Sequence, residues 1–182
     1  MIYAIAFTLL SIPIVFISWK SFKKIGSHGF FRFFCWEAML VLLVFRIEFW
    51  LTNPFSSYQI ISWILLLISI WFIITGVIAL NNKGNQTQNR NKPELFSFEK
   101  TSQVIDSGIF KYIRHPMYSS LLFLTWAIYL KNPDWILFPV AVFSSIFLFL
   151  MAKADENECI EYFGDDYKKY MKKSTRFIPF VF

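Results

Sequence analysis

The chain has 182 residues, of which 56% are hydrophobic and 21% aromatic, and its formal net charge is +6. A water-soluble domain of this size cannot bury so much apolar surface, so the composition excludes an ordinary soluble fold and predicts an integral membrane protein. The basic residues cluster at the ends of apolar segments, which is typical of membrane topology and argues against a nucleic-acid-binding surface.

Five apolar segments follow one another along the chain, and each predicts a helix. They are about Ile2–Trp19, Phe33–Leu51, Tyr58–Leu80, Met117–Leu130 and Trp135–Met151. A helix needs about 20 residues to cross hydrocarbon. The fourth segment is short for this purpose and fits a thin span, a tilted partner in a hairpin or a re-entrant element. No basic region precedes the first segment and no small-residue cleavage site follows it, so we expect it to be retained.

The basic residues predict how these segments cross the membrane. All of the 18 lysines and arginines except Arg46 and Lys131 lie in the first loop, the long third loop or the C-terminal tail. Five spans with the N-terminus outside place these three regions in the cytoplasm, as the positive-inside tendency requires. The predicted fold is therefore all-α, a multi-pass protein with a cytoplasmic C-terminus that suits a prokaryotic plasma membrane.

The chain is predicted to form a single membrane domain with three parts. Residues 1–80 hold three N-terminal spans, residues 81–107 form a polar cytoplasmic linker, and residues 108–182 hold the candidate site. Asn81–Asn91 is polar and low in complexity, which predicts a flexible loop. Cys35 and Cys159 fit no metal or redox spacing, so we expect two small buried hydrophobes and no metal site.

A group of polar and aromatic residues, Arg114-His115-Pro116-Met117-Tyr118, opens the fourth apolar segment. Proline is tolerated in the first turn of a helix, so the motif predicts a helix that begins at or near Pro116. The free N–H groups and the positive dipole end at such a position favour an anion. We therefore predict a site for a carboxylate or phosphate at the membrane surface. His115 is the candidate ligand contact, and Tyr118 is either an interfacial aromatic or a wall of the pocket.

The last two segments are predicted to form an antiparallel hairpin, because the Lys131-Asn132-Pro133-Asp134 turn between them is short. Asp134 suits the N-cap of the fifth segment. At the rise per residue of an α-helix, the distances of His115 and of the pair Asp155-Glu156 from this turn, measured along their helices, differ by only about 7–8 Å. The basic motif and the acidic pair should therefore meet at the cytoplasmic face.

An amphipathic helix is predicted from this acidic pair to about Lys173. Its apolar stripe consists of Cys159, Ile160, Phe163, Tyr167 and Tyr170. Glu156 falls on the axis of the stripe and Asp155 at its edge, whereas Glu158, Glu161 and Asp165 fall on the opposite, solvated side. A carboxylate on a buried stripe needs a partner. That partner is either Arg114 or Arg176 in a salt bridge, or a ligand with hydroxyl or ammonium groups.

Four charged residues nearer the N-terminus are assigned simpler roles. Arg46 and Glu48 lie close to the outer end of the second segment, where long side chains reach water, and are predicted to be structural. Glu37 lies nearer the cytoplasm and is the better candidate for an internal role. His28 stands in a basic loop and is expected to be solvated.

The C-terminal part of the chain resembles a known family. The string Gly108–Tyr118, then Asp155-Glu156, then Phe163–Tyr170 with its Phe-Gly-x-x-Tyr-x-x-Tyr spacing, then Arg176–Pro179, is similar to the isoprenylcysteine carboxyl methyltransferases and the related phospholipid N-methyltransferases. The resemblance covers about the last 75 residues. Asp155 stands where that family has the first of two glutamates, and Ser120 stands where a glycine is common.

The resemblance implies methyl transfer within the membrane from S-adenosylmethionine, with S-adenosylhomocysteine as the product. It implies cofactor contacts from His115, Pro116, Tyr118, Asp155 and Glu156, and catalytic roles for Arg114 and Glu156. No Gly-x-Gly-x-x-Gly sequence follows a strand, which argues against a Rossmann-type methyltransferase.

The kind of methyl acceptor is predicted from whether it must lose a proton to a base before it can react. A carboxylate acceptor needs none, whereas an amine or thiol must lose a proton, and no dedicated base is evident. This favours a carboxylate or another easily deprotonated acceptor. Together with the resemblance, which implies an isoprenylcysteine-like or other lipophilic acceptor, it leads us to expect carboxyl O-methylation. Phospholipid N-methylation and small-thiol S-methylation are the alternatives. A sterol-reductase-like NADPH enzyme is a further alternative that Met117 and Ser119-Ser120 disfavour, and a non-enzymatic membrane scaffold is another.

Overall fold

Six α-helices account for most of the residues that the computed structural model describes, which are 1–84, 95 and 99–179. They are α1 (Ile2–Ser18), α2 (His28–Arg46), α3 (Ser57–Lys83), α4 (Pro116–Tyr129), α5 (Phe138–Phe163) and α6 (Asp165–Met171). Short 3-10 turns cover Trp19–Lys23, Ile47–Phe49 and Gly108–Lys111. Within the described ranges the only strand-like feature is an isolated parallel bridge between Ile113 and Thr175. The all-α prediction is confirmed.

Among the described residues, three helices are long and apolar enough to cross a membrane. They are α1 with the turn that follows it (Ile2–Lys23), α3 and α5. α2 carries Arg32, Glu37 and Arg46, and α4 has only 14 residues. Membrane character is thus supported, whereas five spans and their orientation stay predictions.

Several boundaries differ from those predicted. α2 begins at His28, before the apolar run, because the Ser27 hydroxyl caps it by accepting from the backbone N–H of Phe30 at 3.2 Å. α5 begins at Phe138 instead of Trp135, because Asp134 caps the preceding turn through the backbone N–H of Leu137 at 2.8 Å. Residues 81–83 of the predicted loop are the last turn of α3, and residues 85–91 lie outside the described residues.

The separate amphipathic helix predicted after the hairpin is also corrected. α5 continues without interruption through the acidic residues to Phe163. Gly164 then adopts a φ of 61°, a value that disfavours other residues, and the chain turns into the short α6. Asp155 and Glu156 therefore stand near the end of a long helix and not on a separate surface helix.

The packing of the helices places α4 between α3 and α5, while α2 lies against α5 and α1 against α2. Small residues allow α3 and α4 to approach closely. A side chain at Gly76 would come within 3.3 Å of Pro116 and Met117. Ser69 donates a hydrogen bond across the interface to the carbonyl of Ser120 at 2.9 Å. Small residues and hydroxyls are the usual contacts between helices in lipid.

The end of the bundle that holds the hairpin turn contains a buried lysine. Lys131 is 1% exposed, donates to the side-chain carbonyl of Gln59 at 3.2 Å, and lies 3.4 Å from the ring centroid of Trp63. Gln59 in turn donates to the carbonyls of Phe49 and Lys131 at 2.7 and 2.8 Å. Arg46 pairs with Asp134 beside this group. These contacts join the end of α2, the start of α3 and the hairpin turn.

Replacing this lysine tests the importance of the group. We expect Lys131→Ala to lower the free energy of unfolding in detergent by about 2 kcal/mol, because a desolvated cation–π contact and a buried hydrogen bond are lost together. Lys168→Ala is the matched control, since Lys168 is more than half exposed and pairs only at the surface. Equal stability of the two variants would contradict this prediction.

Candidate active site

The Arg-His-Pro motif forms the start of α4, as predicted. Pro116 is the first helical residue and His115 is the N-cap. The hydroxyl of Ser119 donates back to the carbonyl of His115 at 3.0 Å. The His115 ring is buried and stacks on the Tyr118 ring, with centroids 5.1 Å apart and planes 4° from parallel. The imidazole is therefore held in one orientation at a helix N-terminus.

The C-terminal tail runs beside this motif and is hydrogen-bonded to it. The backbone N–H of Arg114 donates to the carbonyl of Thr175 at 2.8 Å, and that of His115 donates to the carbonyl of Arg176 at 3.2 Å. The Ser119 hydroxyl donates to the carbonyl of Phe177 at 2.7 Å. The sequence offered Arg176 of the tail as a partner of Glu156, but no local pattern predicted these backbone contacts.

Glu156 is the centre of a buried charge cluster. Its carboxylate accepts from Arg114 Nε at 2.9 Å, from Arg176 Nε and Nη2 at 3.0 and 2.7 Å, and lies 3.3 Å from His115 Nε2. Arg114 also donates to the carbonyls of Met171 and Ser174. Both salt-bridge partners that the sequence offered for Glu156 are thus used. A buried carboxylate is tolerated when its charge is compensated in this way.

Asp155 contacts a different set of groups from its neighbour. Its Oδ2 accepts from the Tyr118 hydroxyl at 3.1 Å and lies 3.6 Å from His115 Nδ1. The thiol of Cys159, one turn further along α5, lies 3.7 Å from Oδ1. The imidazole of His115 therefore stands between two consecutive carboxylates, one on each ring nitrogen.

A cavity opens beside these side chains. It has about 660 Å³ of empty space, counted to its open mouth. The polar part of its wall includes His115, Tyr118, Asp155 and Glu99, and Arg114 also reaches it. Glu156 is not among the lining residues. It lies behind the wall, where it holds Arg114 and His115 in place.

The cavity is also lined by apolar and aromatic residues. They include Leu80, Phe110, Phe163, Tyr167 and Tyr170. The hydroxyl of Tyr170 donates to the carbonyl of Phe110 at 2.7 Å, which fixes α6 against the turn before α4. Burial raises the pKa of Tyr167 and of Tyr170, so both phenols stay neutral at physiological pH. The lining of the cavity thus combines charged side chains with uncharged aromatic ones.

Two residues predicted to be solvated are buried instead. Glu158 is 6% exposed and His28 is 1% exposed. Both oxygens of Glu158 are used, one by the backbone N–H of His28 at 3.2 Å and one by its ring Nδ1 at 3.1 Å. The prediction was wrong because it assumed one buried face, whereas α2 packs on another side of α5. Glu161 and Asp165 are exposed, as predicted.

Glu37, the candidate for an internal role, makes a contact between two helices. Glu37 accepts a hydrogen bond from the hydroxyl of Ser11 at 2.6 Å, which joins α1 to α2.

Within residues 1–84, 95 and 99–179, no group of three or more His, Cys, Asp and Glu side chains is arranged to hold a metal ion.

Comparison with known proteins identifies related chains. A family model described as phospholipid methyltransferase matches residues 58–166, a range that covers α3, α4 and α5. Methanethiol S-methyltransferase 1 of Bradyrhizobium diazoefficiens and methanethiol S-methyltransferase of Pseudomonas deceptionensis are each 30% identical to the chain over 71 residues. The aligned region is 39% of this chain and only 24% and 26% of those two relatives. No solved structure matches the chain.

The charge cluster makes a prediction about stability. We expect Glu156→Gln to lower the free energy of unfolding by about 3 kcal/mol, because two arginines lose the charge that compensates them in a buried place. Unfolding in mixed detergent micelles measures this, with Glu161→Gln as the control on the exposed side of the same helix. If the two variants unfold alike, Glu156 does not hold the motif and the tail together.

Proposed function

Because the chain belongs to the phospholipid methyltransferase family, we propose that it is a membrane-bound methyltransferase that uses S-adenosylmethionine. The observation that carries this proposal is the meeting of His115, Tyr118 and Asp155 at one cavity, beside the N-terminus of α4. When bound, S-adenosylmethionine supplies a methyl group that is already activated by a positively charged sulfur.

The residues of the cavity fit the chemical groups of this cofactor. The N-terminus of α4 suits its carboxylate, because free N–H groups and the helix dipole favour an anion. Asp155 suits a positively charged ammonium or sulfonium group. The aromatic wall formed by Phe110, Phe163 and Tyr167 suits the adenine ring.

The geometry supports two kinds of role for the predicted site residues. We propose that His115, Pro116, Tyr118 and Asp155 contact the cofactor, since all four line the cavity. Glu156 acts through others in this proposal, because it holds His115 and Arg114 from behind the wall. The protein then has mainly to align the acceptor with the methyl group and exclude water.

We also propose that the site faces the cytoplasm in a five-span arrangement with the N-terminus outside, the three parts of the chain forming one membrane domain. The His28–Glu158 contact brings the first basic loop to the end of the bundle that holds Asp155. The Arg46–Asp134 pair lies at the opposite end. The described basic regions thus share one end with the cavity, which is the cytoplasmic end by the positive-inside tendency.

For the acceptor, we propose a small thiol first and a lipophilic carboxylate, such as a prenylated cysteine, second. The two relatives are named as methanethiol S-methyltransferases, which favours the thiol. A thiolate is a strong nucleophile, so a small thiol reacts readily with an activated methyl group once its proton has been lost. The apolar part of the cavity wall suits either acceptor.

Transfer of a labelled methyl group to a panel of acceptors tests the proposed reaction. The panel contains methanethiol, a prenylated cysteine, phosphatidylethanolamine and an isoprenoid acid, each with purified protein in detergent. We expect S-methylation of the thiol to be fastest. Absence of transfer to all four, together with binding of a reduced nicotinamide, would overturn the proposal in favour of a reductase.

Measuring the binding of S-adenosylmethionine distinguishes the roles of His115, Glu156 and Glu161. We expect His115→Ala and Glu156→Ala each to abolish binding of S-adenosylmethionine, the first by removing a contact and the second by releasing His115 and Arg114. Glu161→Ala should bind like the unchanged protein, because its side chain lies on the exposed face. Titration calorimetry in detergent gives the three dissociation constants. A similar loss in all three variants would contradict these assignments.

A further inference from the structure

Three carboxylates near the end of α5 each contact a different part of the molecule. Asp155 accepts from Tyr118 on α4, and Glu156 binds the motif before α4 and the tail. Glu158 contacts neither of these and reaches His28 at the start of α2. The first two carboxylates have a place in the proposed function, whereas the third has none so far.

The contact between Glu158 and His28 is a two-point attachment. One carboxylate oxygen accepts from the backbone N–H of His28, and the other accepts from the ring at Nδ1. This N–H group lies in the first turn of α2. The N–H groups of a first turn have no acceptor within their own helix. Glu158 therefore caps α2 from a neighbouring helix, next to the Ser27 cap. Both side chains are almost fully buried, so water competes little for the contact.

This attachment is electrostatically connected to the cavity. The charges that act on the His28 ring come from Glu158 and Asp155 on α5 and from Glu99 in the segment before α4. Asp155 and Glu99 both line the cavity. Tyr118, which also lines the cavity, packs in one hydrophobic core with Cys35 and Met39 of α2. α2 thus lies beside the cavity.

We propose that His28 and Glu158 are positioning residues that fix the rotation of α5 and hence the direction of Asp155 and Glu156. The residues 155 and 158 are three apart, so their side chains leave the helix about 60° from each other. A rotation of α5 by about 10° moves a carboxylate about 6 Å from the axis by about 1 Å. An error of about 1 Å in a reacting geometry costs roughly 100-fold in rate.

The range that the family model matches does not include both residues of this pair. His28 lies outside residues 58–166, the range that the family model matches. The inference rests on the proposed function only for what the cavity holds. The attachment itself is a statement about α2 and α5, and it can be tested without any cofactor.

The first test is hydrogen–deuterium exchange of the protein in detergent without ligand. We expect His28→Ala to speed exchange in residues 152–160 by about ten-fold, because a hydrogen bond to a buried carboxylate is lost. His28→Asn should restore slow exchange, since the asparagine amide nitrogen occupies the position of Nδ1. A rise spread evenly over all helices would overturn the proposal, because it would show a general loss of stability. Unchanged exchange in residues 152–160 would overturn it too.

The second test measures binding of S-adenosylhomocysteine and the turnover number of the same variants. We expect His28→Ala and Glu158→Gln to weaken binding by about ten-fold and to lower turnover more than that, with recovery in His28→Asn. Glu161→Gln is the control on the same helix. If the unchanged protein binds no S-adenosylhomocysteine, the proposed function fails while the exchange result still decides the positioning role. Normal binding and turnover in His28→Ala overturn the positioning role alone.

Discussion

The structure depends on one buried negative charge. The carboxylate of Glu156 is shared by Arg114, His115 and Arg176, which come from the motif before α4 and from the tail. None of these groups could be buried alone, because an isolated charge in an apolar interior is very costly. Together they join two chain segments about 60 residues apart in sequence to one face of α5. The cavity exists because this joint leaves the other face of the motif open.

Around this joint, α5 acts as the common support of the site. Its last turns direct Asp155 into the cavity, Glu156 behind the wall and Glu158 towards α2. A helix with neighbours on several sides needs a separate partner for each acidic residue. This is how three carboxylates within four consecutive positions of α5 are accommodated.

Much of this arrangement follows from local rules. The start of α4 was predictable from Pro116, whose ring is tolerated only in the first turn, and the meeting of His115 with Glu156 followed from the short hairpin turn. The partner of Glu158 was not predictable, because a helical stripe reports one buried face and says nothing about a second neighbour. Of the tail, only the Arg176–Glu156 contact was predictable, since the contacts of the tail to Arg114 and His115 are backbone hydrogen bonds that no side-chain pattern encodes.

The shortness of α4 has a consequence for the surrounding bilayer. A helix of 14 residues is about 21 Å long, whereas the hydrocarbon layer is about 30 Å thick. In the five-span arrangement proposed above, Lys131 and Asp134 lie at the outer end of α4. The other end, at Pro116, would then lie several ångströms below the inner headgroups, or the lipids around it would be compressed. Molecules dissolved among the acyl chains would then find the site by diffusing in two dimensions.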